Sequence, residues 1–439
     1  MATVVLSAAP ADHPALATLA ELLGRELRQR GENKLRVFDL TQIKLAYCQG
    51  EFDCWVKTPG VCRAHDAEAE IVQAVHDADR LILVGPVTFG GHGYAVKRAI
   101  DRLICLVSPF FDKRASLTHH EARYERLPAF YALGWMPRPD AGSERTWREL
   151  TDANALNLCA PRFGAAVVTD ENRAEWGERA GALLDSEEIP GASIAGRGGL
   201  REALLMTTMG DGLAGPPPRT AALIVGSAKV QGTSVSENLA RALQARLEAA
   251  GVATELHFAV EFLHAERAAA TARALAAADL LVLVSPLYVD AWPALATQAL
   301  ESIAAARAAS PAAGRFAAVV NCGFPEAEHN RTALRIARHF AAAAGYGWSG
   351  GLALGGGGTL NPRVPLDQQH GPAQHVITAL DLAAPCLARG ECVPREAIEQ
   401  MASAPMPDAL YRMAGDLGWR YQVWKNGLGQ AALHARPLD

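Results

Sequence analysis

The chain has 439 residues, of which 50% are hydrophobic and 20% charged, and its formal net charge is −5. This length fits two domains of ordinary size. The composition has no basic block, which argues against nucleic acid as a partner, and no apolar run approaches the roughly 20 residues of a membrane-spanning helix. We find no secretory signal, and eight cysteines in so long a chain indicate reduced thiols and a cytoplasmic location.

The first half of the chain alternates between predicted strands and helices. Short apolar runs predict its strands at residues 4–6, 35–38, 81–84, 129–133 and 163–168. After the first run, leucines recur at helical spacing until Gly31, which indicates an amphipathic helix. The interval between the first and third strands is longer than its counterpart in the second half, and residues 45–66 occupy it.

The second half repeats this order of elements. The stretch Asp77–Pro86, a short apolar run between an acidic residue and a proline, recurs as Ala277–Pro286. Further runs predict strands at residues 222–225, 254–258, 280–284, 316–320 and within 348–354. Because such runs are typical of strands buried on both faces, the pattern predicts doubly wound parallel sheets.

We therefore expect an α/β protein with two tandem domains and a helical tail. The predicted segments are a first domain at 1–185, a linker rich in glycine and proline at 186–219, a second domain at 220–380 and a tail at 381–439. Functional residues should lie in loops that follow the carboxyl ends of the strands.

One such loop, residues 226–236, joins the first strand of the second half to a helix. It is dense in hydroxyl groups and contains one lysine, the residue types that surround a phosphate at a helix N-terminus. Its candidate phosphate ligands are Ser227, Lys229, Thr233, Ser234 and Ser236. The alternative interpretation is a capping box at 234–237, which explains one or two of these residues without any ligand.

With this loop, the second half resembles the NADPH-dependent FMN reductase branch of the flavodoxin-like superfamily. The resemblance covers roughly residues 220–358 and includes two further loops, at 285–290 and 321–326. It implies that the first loop binds the 5′-phosphate of FMN, whereas the other two approach the isoalloxazine ring. The ring-binding candidates are Pro286, Leu287, Tyr288, Val289, Asn321, Cys322 and Gly323.

Two of these candidates have simpler explanations. Tyr288 could cover a face of the flavin, or it could be an ordinary half-buried turn residue. For Cys322 we favour the simpler interpretation, a small hydrophobic core residue. The chemistry itself would belong to the flavin, so no catalytic side chain is assigned.

The first half resembles a different subgroup, the flavin reductases and iron–sulfur flavoproteins. The resemblance lies in the cysteine segment 48–62 and in the segment from Pro86 to Arg102. Glu51 stands where one cluster thiolate would be expected, which argues against an iron–sulfur cluster. Zinc binding with Glu51 or His65, a Cys48–Cys54 redox pair and simple packing near a flavin are the alternatives, and we favour packing.

The first half departs from the family at its phosphate loop, residues 7–16. This loop has few hydroxyl groups, contains two prolines without N–H donors and carries Asp12, which would repel phosphate. We therefore expect a fused pseudo-dimer with one FMN, bound by the second half.

The leading functional hypothesis is an FMN-dependent oxidoreductase in which NAD(P)H is the electron donor and a quinone, a flavin or another small molecule is the acceptor. The alternatives are an electron-transfer flavoprotein, with or without an iron–sulfur partner centre, and a flavodoxin-like scaffold without catalysis. Members that resemble either half commonly form dimers, so a homodimer is possible. Nucleic acids and membranes are not expected partners.

Overall fold

A computed structural model gives the fold and describes residues 1–10, 13–192 and 196–439. The chain divides into two compact units, one containing Met1–Ile194 with Arg412–Asp439 and the other Ala195–Tyr411. Each unit is built around its own parallel sheet. The domain boundaries drawn from the sequence stay predictions.

The first unit combines strands and helices in the expected alternating order. Its strands are β1 (Ala2–Ser7), β2 (Lys34–Asp39), β3 (Arg80–Thr88), β4 (Gly91–His92), β5 (Val107–Arg114), β6 (Leu117–Ala122), β7 (Ala129–Met136) and β8 (Phe163–Thr169). Its helices are α1 (Pro14–Gln29), α2 (Asp53–Val56), α3 (Glu68–His76), α4 (Tyr94–Ile100), α5 (Ala141–Asn157) and α6 (Trp176–Leu184).

The parallel strands of this unit follow the order β2-β1-β3-β7-β8, the flavodoxin-like arrangement. In register, Val5 of β1 lies opposite Ile82 of β3, and both are buried. The leucine stripe of α1 packs on this sheet together with Trp176 of α6. The apolar runs are continuous because helices cover both faces of the sheet.

The antiparallel pair β5–β6 was not predicted from the sequence. Phe111 of β5 lies opposite His120 of β6, and the register shifts between Val107 and Phe111. Because this irregularity interrupts the two-residue alternation, the segment lacks the pattern by which a strand is recognised.

The second unit repeats the architecture. Its strands are β9 (Thr220–Val225), β10 (Ala253–Phe258), β11 (Leu280–Pro286), β12 (Arg315–Asn321) and β13 (Gly347–Leu354). Its helices are α7 (Arg197–Thr208), α8 (Val235–Ala249), α9 (Ala265–Ala277), α10 (Ala294–Ala309), α11 (Arg331–Ala343), α12 (Gln374–Ala388) and α13 (Arg395–Met401). The last helix, α14 (Asp408–Lys425), belongs from Arg412 onward to the first unit. The sheet order is β10-β9-β11-β12-β13, equivalent to that of the first unit.

The aspartate that recurs in the sequence repeat accepts hydrogen bonds from the start of the first strand in both units. The Asp79 carboxylate accepts a hydrogen bond from the N–H of Ala2, at the start of β1. The Asp279 carboxylate accepts from the N–H groups of Arg219 and Thr220, at the start of β9. In each unit, the loop before the third strand therefore anchors the beginning of the first.

Helices α12 and α13 complete the second core. Val376, Leu380 and Leu387 of α12 are buried in the same cluster as Leu239 of α8, and Ile398 of α13 joins them. The prediction of two tandem flavodoxin-like sheets followed by helices is thus confirmed. Within the described residues, every helix is too short or too polar to cross a membrane.

Candidate functional site

Three loops meet at the carboxyl edge of the second sheet, because β9, β11 and β12 are adjacent and parallel. They are residues 226–234, 287–293 and 322–326, which include the predicted phosphate and ring loops. In open α/β sheets this edge is where ligands bind.

The first loop leaves β9 in close contact with β11. A Cβ on Gly226 would lie 2.3 Å from the Ser285 Oγ, so only glycine fits here without displacement. The next residue, Ser227, is buried, and its hydroxyl accepts a hydrogen bond from the N–H of Lys229 at 3.2 Å. The loop therefore turns back on itself immediately after the strand.

The N-terminus of α8 does not contain the capping box that the sequence allows. In the part of the chain that the structure describes, the Ser234 side chain makes no capping hydrogen bond. The Glu237 carboxylate instead accepts from the N–H of Gly232 at 2.5 Å and from Arg241 Nε at 2.9 Å. Arg241 therefore compensates the charge of Glu237, the acidic residue in the first turn of the helix.

Asn321, at the end of β12, joins all three loops. Its side-chain Oδ1 accepts a hydrogen bond from the buried Ser236 hydroxyl at 2.7 Å. Its backbone carbonyl accepts from the N–H of Leu287 at 2.8 Å. Ser236 and Asn321 were both predicted to bind the cofactor, and the structure places them in contact with each other.

The second loop contains a tight turn with unusual backbone angles. Tyr288 and Ala291 exchange both backbone hydrogen bonds, at 2.9 and 3.1 Å. Between them, Val289 has a φ of 41° and Asp290 a φ of 61°. A β-branched residue in this region costs on the order of 1–3 kcal/mol, and such strain concentrates at ligand sites. Tyr288 is half-buried beside the turn.

The first unit has the same turn at the equivalent position. Thr88 pairs with Gly91 across it, and the central residues Phe89 and Gly90 have φ values of 52° and 77°. Both units thus form a left-handed two-residue turn after the third strand of the parallel sheet, although the residues differ.

The third loop is held by backbone contacts. The carbonyls of Cys322 and Phe324 accept hydrogen bonds from the N–H groups of Gly357 and Gly356, at 2.8 and 2.6 Å. The Tyr411 hydroxyl donates to the carbonyl of Gly323 at 2.7 Å. Cys322 is buried, and burial raises the pKa of its thiol to about 12.

Sequence reasoning missed the glycine run that supports this loop. A Cβ on Gly355 would lie 2.4 Å from the carbonyl oxygen of Pro325 and 2.7 Å from the nitrogen of Ala327. Four consecutive glycines at 355–358, directly after the last strand, were the signal available in the sequence.

In the first unit, the helix that follows the first strand is capped by a side chain of the protein. The His13 imidazole Nδ1 accepts from the N–H of Leu16 at 3.4 Å and caps α1, and Pro14 follows it. Asp12, which the sequence interpretation invoked, lies outside the described residues. The observed cap supports the prediction of a poor phosphate site in this unit.

The cysteine segment of the first unit forms no disulfide bond within the described residues. All eight cysteines, each within the described ranges, are free thiols. The Cys105 thiol donates to the Glu68 carboxylate at 3.3 Å, and Arg102 donates to Cys62 at 3.2 Å. Burial raises the pKa of Cys48 far above its usual range.

The side chains that the sequence suggested as metal ligands are not grouped around a common point in the described residues. Glu51 lies 4.0 Å from Arg63, with which it forms an ion pair. Among residues 1–10, 13–192 and 196–439, no group of His, Cys, Asp or Glu side chains is arranged to hold a metal ion.

A family model described as NADPH-dependent FMN reductase matches residues 1–121 and 220–348, together more than half of the chain. The chain belongs to the NADPH-dependent FMN reductase family. Both halves match, as the internal repeat predicted. Membership confirms the predictions of an NAD(P)H-dependent flavin oxidoreductase and of FMN as its cofactor.

Two solved structures of similar proteins each match less than half of the chain. An NAD(P)H:quinone oxidoreductase from Methanothermobacter marburgensis is 14% identical with a TM-score of 0.35, and the match covers 42% of this chain and 96% of that one. An FMN-dependent NADH-azoreductase from Bacillus anthracis str. Ames Ancestor, solved in complex with FMN, is 11% identical with a TM-score of 0.32, with coverages of 42% and 95%. No curated protein matches the sequence.

Proposed function

We propose that this FMN reductase family member takes a hydride from NADH or NADPH and passes electrons to a quinone, a free flavin or another small acceptor. The observation that carries the proposal is the meeting of three strand-end loops at Asn321, on one edge of the second sheet. Bound FMN supplies the hydride-accepting chemistry, whereas the protein binds and orients it. A cytoplasmic location stays part of this proposal.

The phosphate end of the cofactor is assigned to the loop before α8. Ser227, Lys229, Thr233 and Ser234 provide hydroxyl groups and one positive charge around a helix N-terminus, where backbone N–H groups favour an anion. Ser236 positions this loop through its bond to Asn321 and lies within reach of the same terminus.

The ring end is assigned to the second and third loops. Pro286, Leu287, Tyr288 and Val289 follow β11, and the backbone of residues 321–323 follows β12. The strained turn and the glycine contacts fix both loops before any ligand arrives, which lowers the cost of ordering them on binding. Hydride transfer to a flavin needs no protein acid or base, so these residues act by position.

The proposal places one FMN in each chain, in the second unit. Helix α8 leaves its terminus to a ligand, whereas α1 is capped by His13. Purified full-length protein, saturated with FMN and freed of excess, should therefore contain one flavin per chain by absorbance. Anaerobic addition of NADPH should bleach it.

A matched pair of variants tests the assignment. Loss of hydrogen bonds to a charged phosphate costs roughly 1.5–3 kcal/mol each, so Ser227→Ala with Ser234→Ala should raise the Kd for FMN at least tenfold. Ser7→Ala changes the equivalent position after β1 and should leave FMN binding unchanged. The proposal would be contradicted by two bound flavins per chain or by a protein that does not bind FMN. Equal effects of the double variant and of Ser7→Ala on the Kd for FMN would contradict it as well.

A further inference from the structure

One face of α14 carries a continuous apolar stripe that is open to solvent. Its members recur every three or four residues and are 47–67% exposed, namely Leu410, Met413, Leu417, Tyr421 and Trp424. This spacing places all five on one side of the helix. Exposed apolar side chains are ordinary when scattered, but a contiguous set of this size marks an interaction surface.

The opposite side of α14 is firmly packed on the first unit. The Trp419 ring lies 5.4 Å from that of Phe52 and 5.3 Å from that of Trp55. Val423 is fully buried, and a Cβ on Gly415 would lie 2.6 Å from the Phe111 ring. Because these contacts fix the rotation of the helix about its axis, the stripe faces outward as a property of the fold.

We propose that the stripe is the interface of a homodimer, in which α14 of a second copy lies antiparallel across a two-fold axis near Leu417. The sequence resemblance made a homodimer possible but named no surface for it. In this arrangement Met413 faces Tyr421 of the second copy, and Leu410 faces Trp424. The aliphatic end of each helix meets the aromatic end of the other, so the stripe is complementary to itself, as a two-fold interface requires.

The charges beside the stripe fit the same arrangement. Asp416 and Arg420 lie on one edge of it, and equivalent edges meet in an antiparallel pair, so Asp416 of each copy faces Arg420 of the other. Among the described residues, the Asp416 Oδ1 atom is buried without a hydrogen-bond partner. Burial raises the pKa of Asp416, and a second guanidinium would oppose that shift.

The size of the stripe agrees with a dimer of modest affinity. The five side chains expose roughly 600 Å², so a symmetric pair would bury about 1,200 Å², the lower limit of stable interfaces. The small residues Ala414, which is exposed, and Gly418, which is half-buried, border the stripe and allow the helices to approach closely.

Sedimentation equilibrium of the full-length protein tests the proposal. The wild type should be dimeric at tens of micromolar, and Leu417→Glu, at the centre of the stripe, should raise the dimer dissociation constant at least tenfold. Gln422→Glu adds the same charge to the same helix away from the stripe and should leave it unchanged. Circular dichroism melts establish that both variants fold. A monomeric wild type, or equal effects of both variants, would overturn the proposal.

Charge exchange tests the orientation. Arg420→Glu places like charges together and should weaken the dimer, and adding Asp416→Lys should restore it toward the wild-type value. Failure of the second change to restore association would exclude the antiparallel pairing. The alternative is that the stripe binds a lipid surface, which sedimentation with phosphatidylcholine–phosphatidylglycerol vesicles tests. A monomer that binds these vesicles through Leu417 would overturn the proposal.

Discussion

Replacing Gly355 by alanine tests whether backbone contacts, rather than side chains, position the proposed flavin site. The new Cβ would lie 2.4 Å from the Pro325 oxygen and 2.7 Å from the Ala327 nitrogen. Both are backbone atoms, so normal contact distances require a displacement of roughly 1 Å in the third loop or at the end of β13. Rotation of a side chain cannot relieve this overlap.

The expected magnitudes follow from this displacement. Overpacking of this kind costs about 1–3 kcal/mol, which for a unit of this size lowers Tm by about 2–4 °C per kcal/mol. The moved loop contains the backbone assigned to the ring edge. We therefore expect the Kd for FMN to rise about tenfold or more, since each factor of ten corresponds to about 1.4 kcal/mol.

The assay combines thermal melts of FMN-free protein with flavin fluorescence titrations. Gly198→Ala is the matched control because, within the described residues, its added Cβ would have no atom within 4 Å. Its helical position makes a small gain in stability the expected result. Wild-type Tm and FMN affinity in Gly355→Ala would refute the view that the glycine run supports the site.

Three further predictions concern single groups. Ser236→Ala leaves the buried Asn321 Oδ1 without its hydrogen-bond donor. It should lower the free energy of unfolding, measured with urea, by about 1–3 kcal/mol and weaken FMN binding. An unchanged free energy of unfolding would contradict this contact. Burial opposes ionisation of Asp279, yet hydrogen bonds from Thr220 and Arg219 hold its pKa below the ordinary value. The ionised Asp279 therefore stabilises the fold fully above about pH 4, and this contribution is lost as the pH falls through the pKa of the folded state. The free energy of unfolding of Asp279→Asn should accordingly differ from that of the wild type more at pH 7 than at pH 3. The Cys322 thiol should resist iodoacetamide at pH 8 until urea unfolds the protein, and rapid native labelling by mass spectrometry would disprove its burial.

The strands of both sheets were predictable because strands that are buried on both faces consist of consecutive apolar residues. Residues 81–84 and 280–284 lie inside β3 and β11 for this reason. The topology followed, since alternating strands and helices admit few arrangements. The β5–β6 pair was not predictable, because its register irregularity removes the alternation.

The candidate site was predictable as a set of loops but not as a set of contacts. Hydroxyl density identified the segment before α8, whereas the bond from Ser236 to Asn321 joins residues that are far apart in the chain. The hydrogen bond from the Cys105 thiol to Glu68 likewise depends on tertiary packing. Local sequence carries composition and spacing, while such pairs are decided by the whole fold.

The prevalence of main-chain contacts at the sheet edge has a consequence for how this site tolerates change. The N–H groups of Leu287, Gly356 and Gly357 hold the second and third loops, and no side chain is needed for these bonds. A saturation mutagenesis profile should therefore be uneven, with the steepest losses of stability at Gly226, Gly355 and Gly356, where an added Cβ would clash. Such a site can keep its shape while most of its sequence drifts.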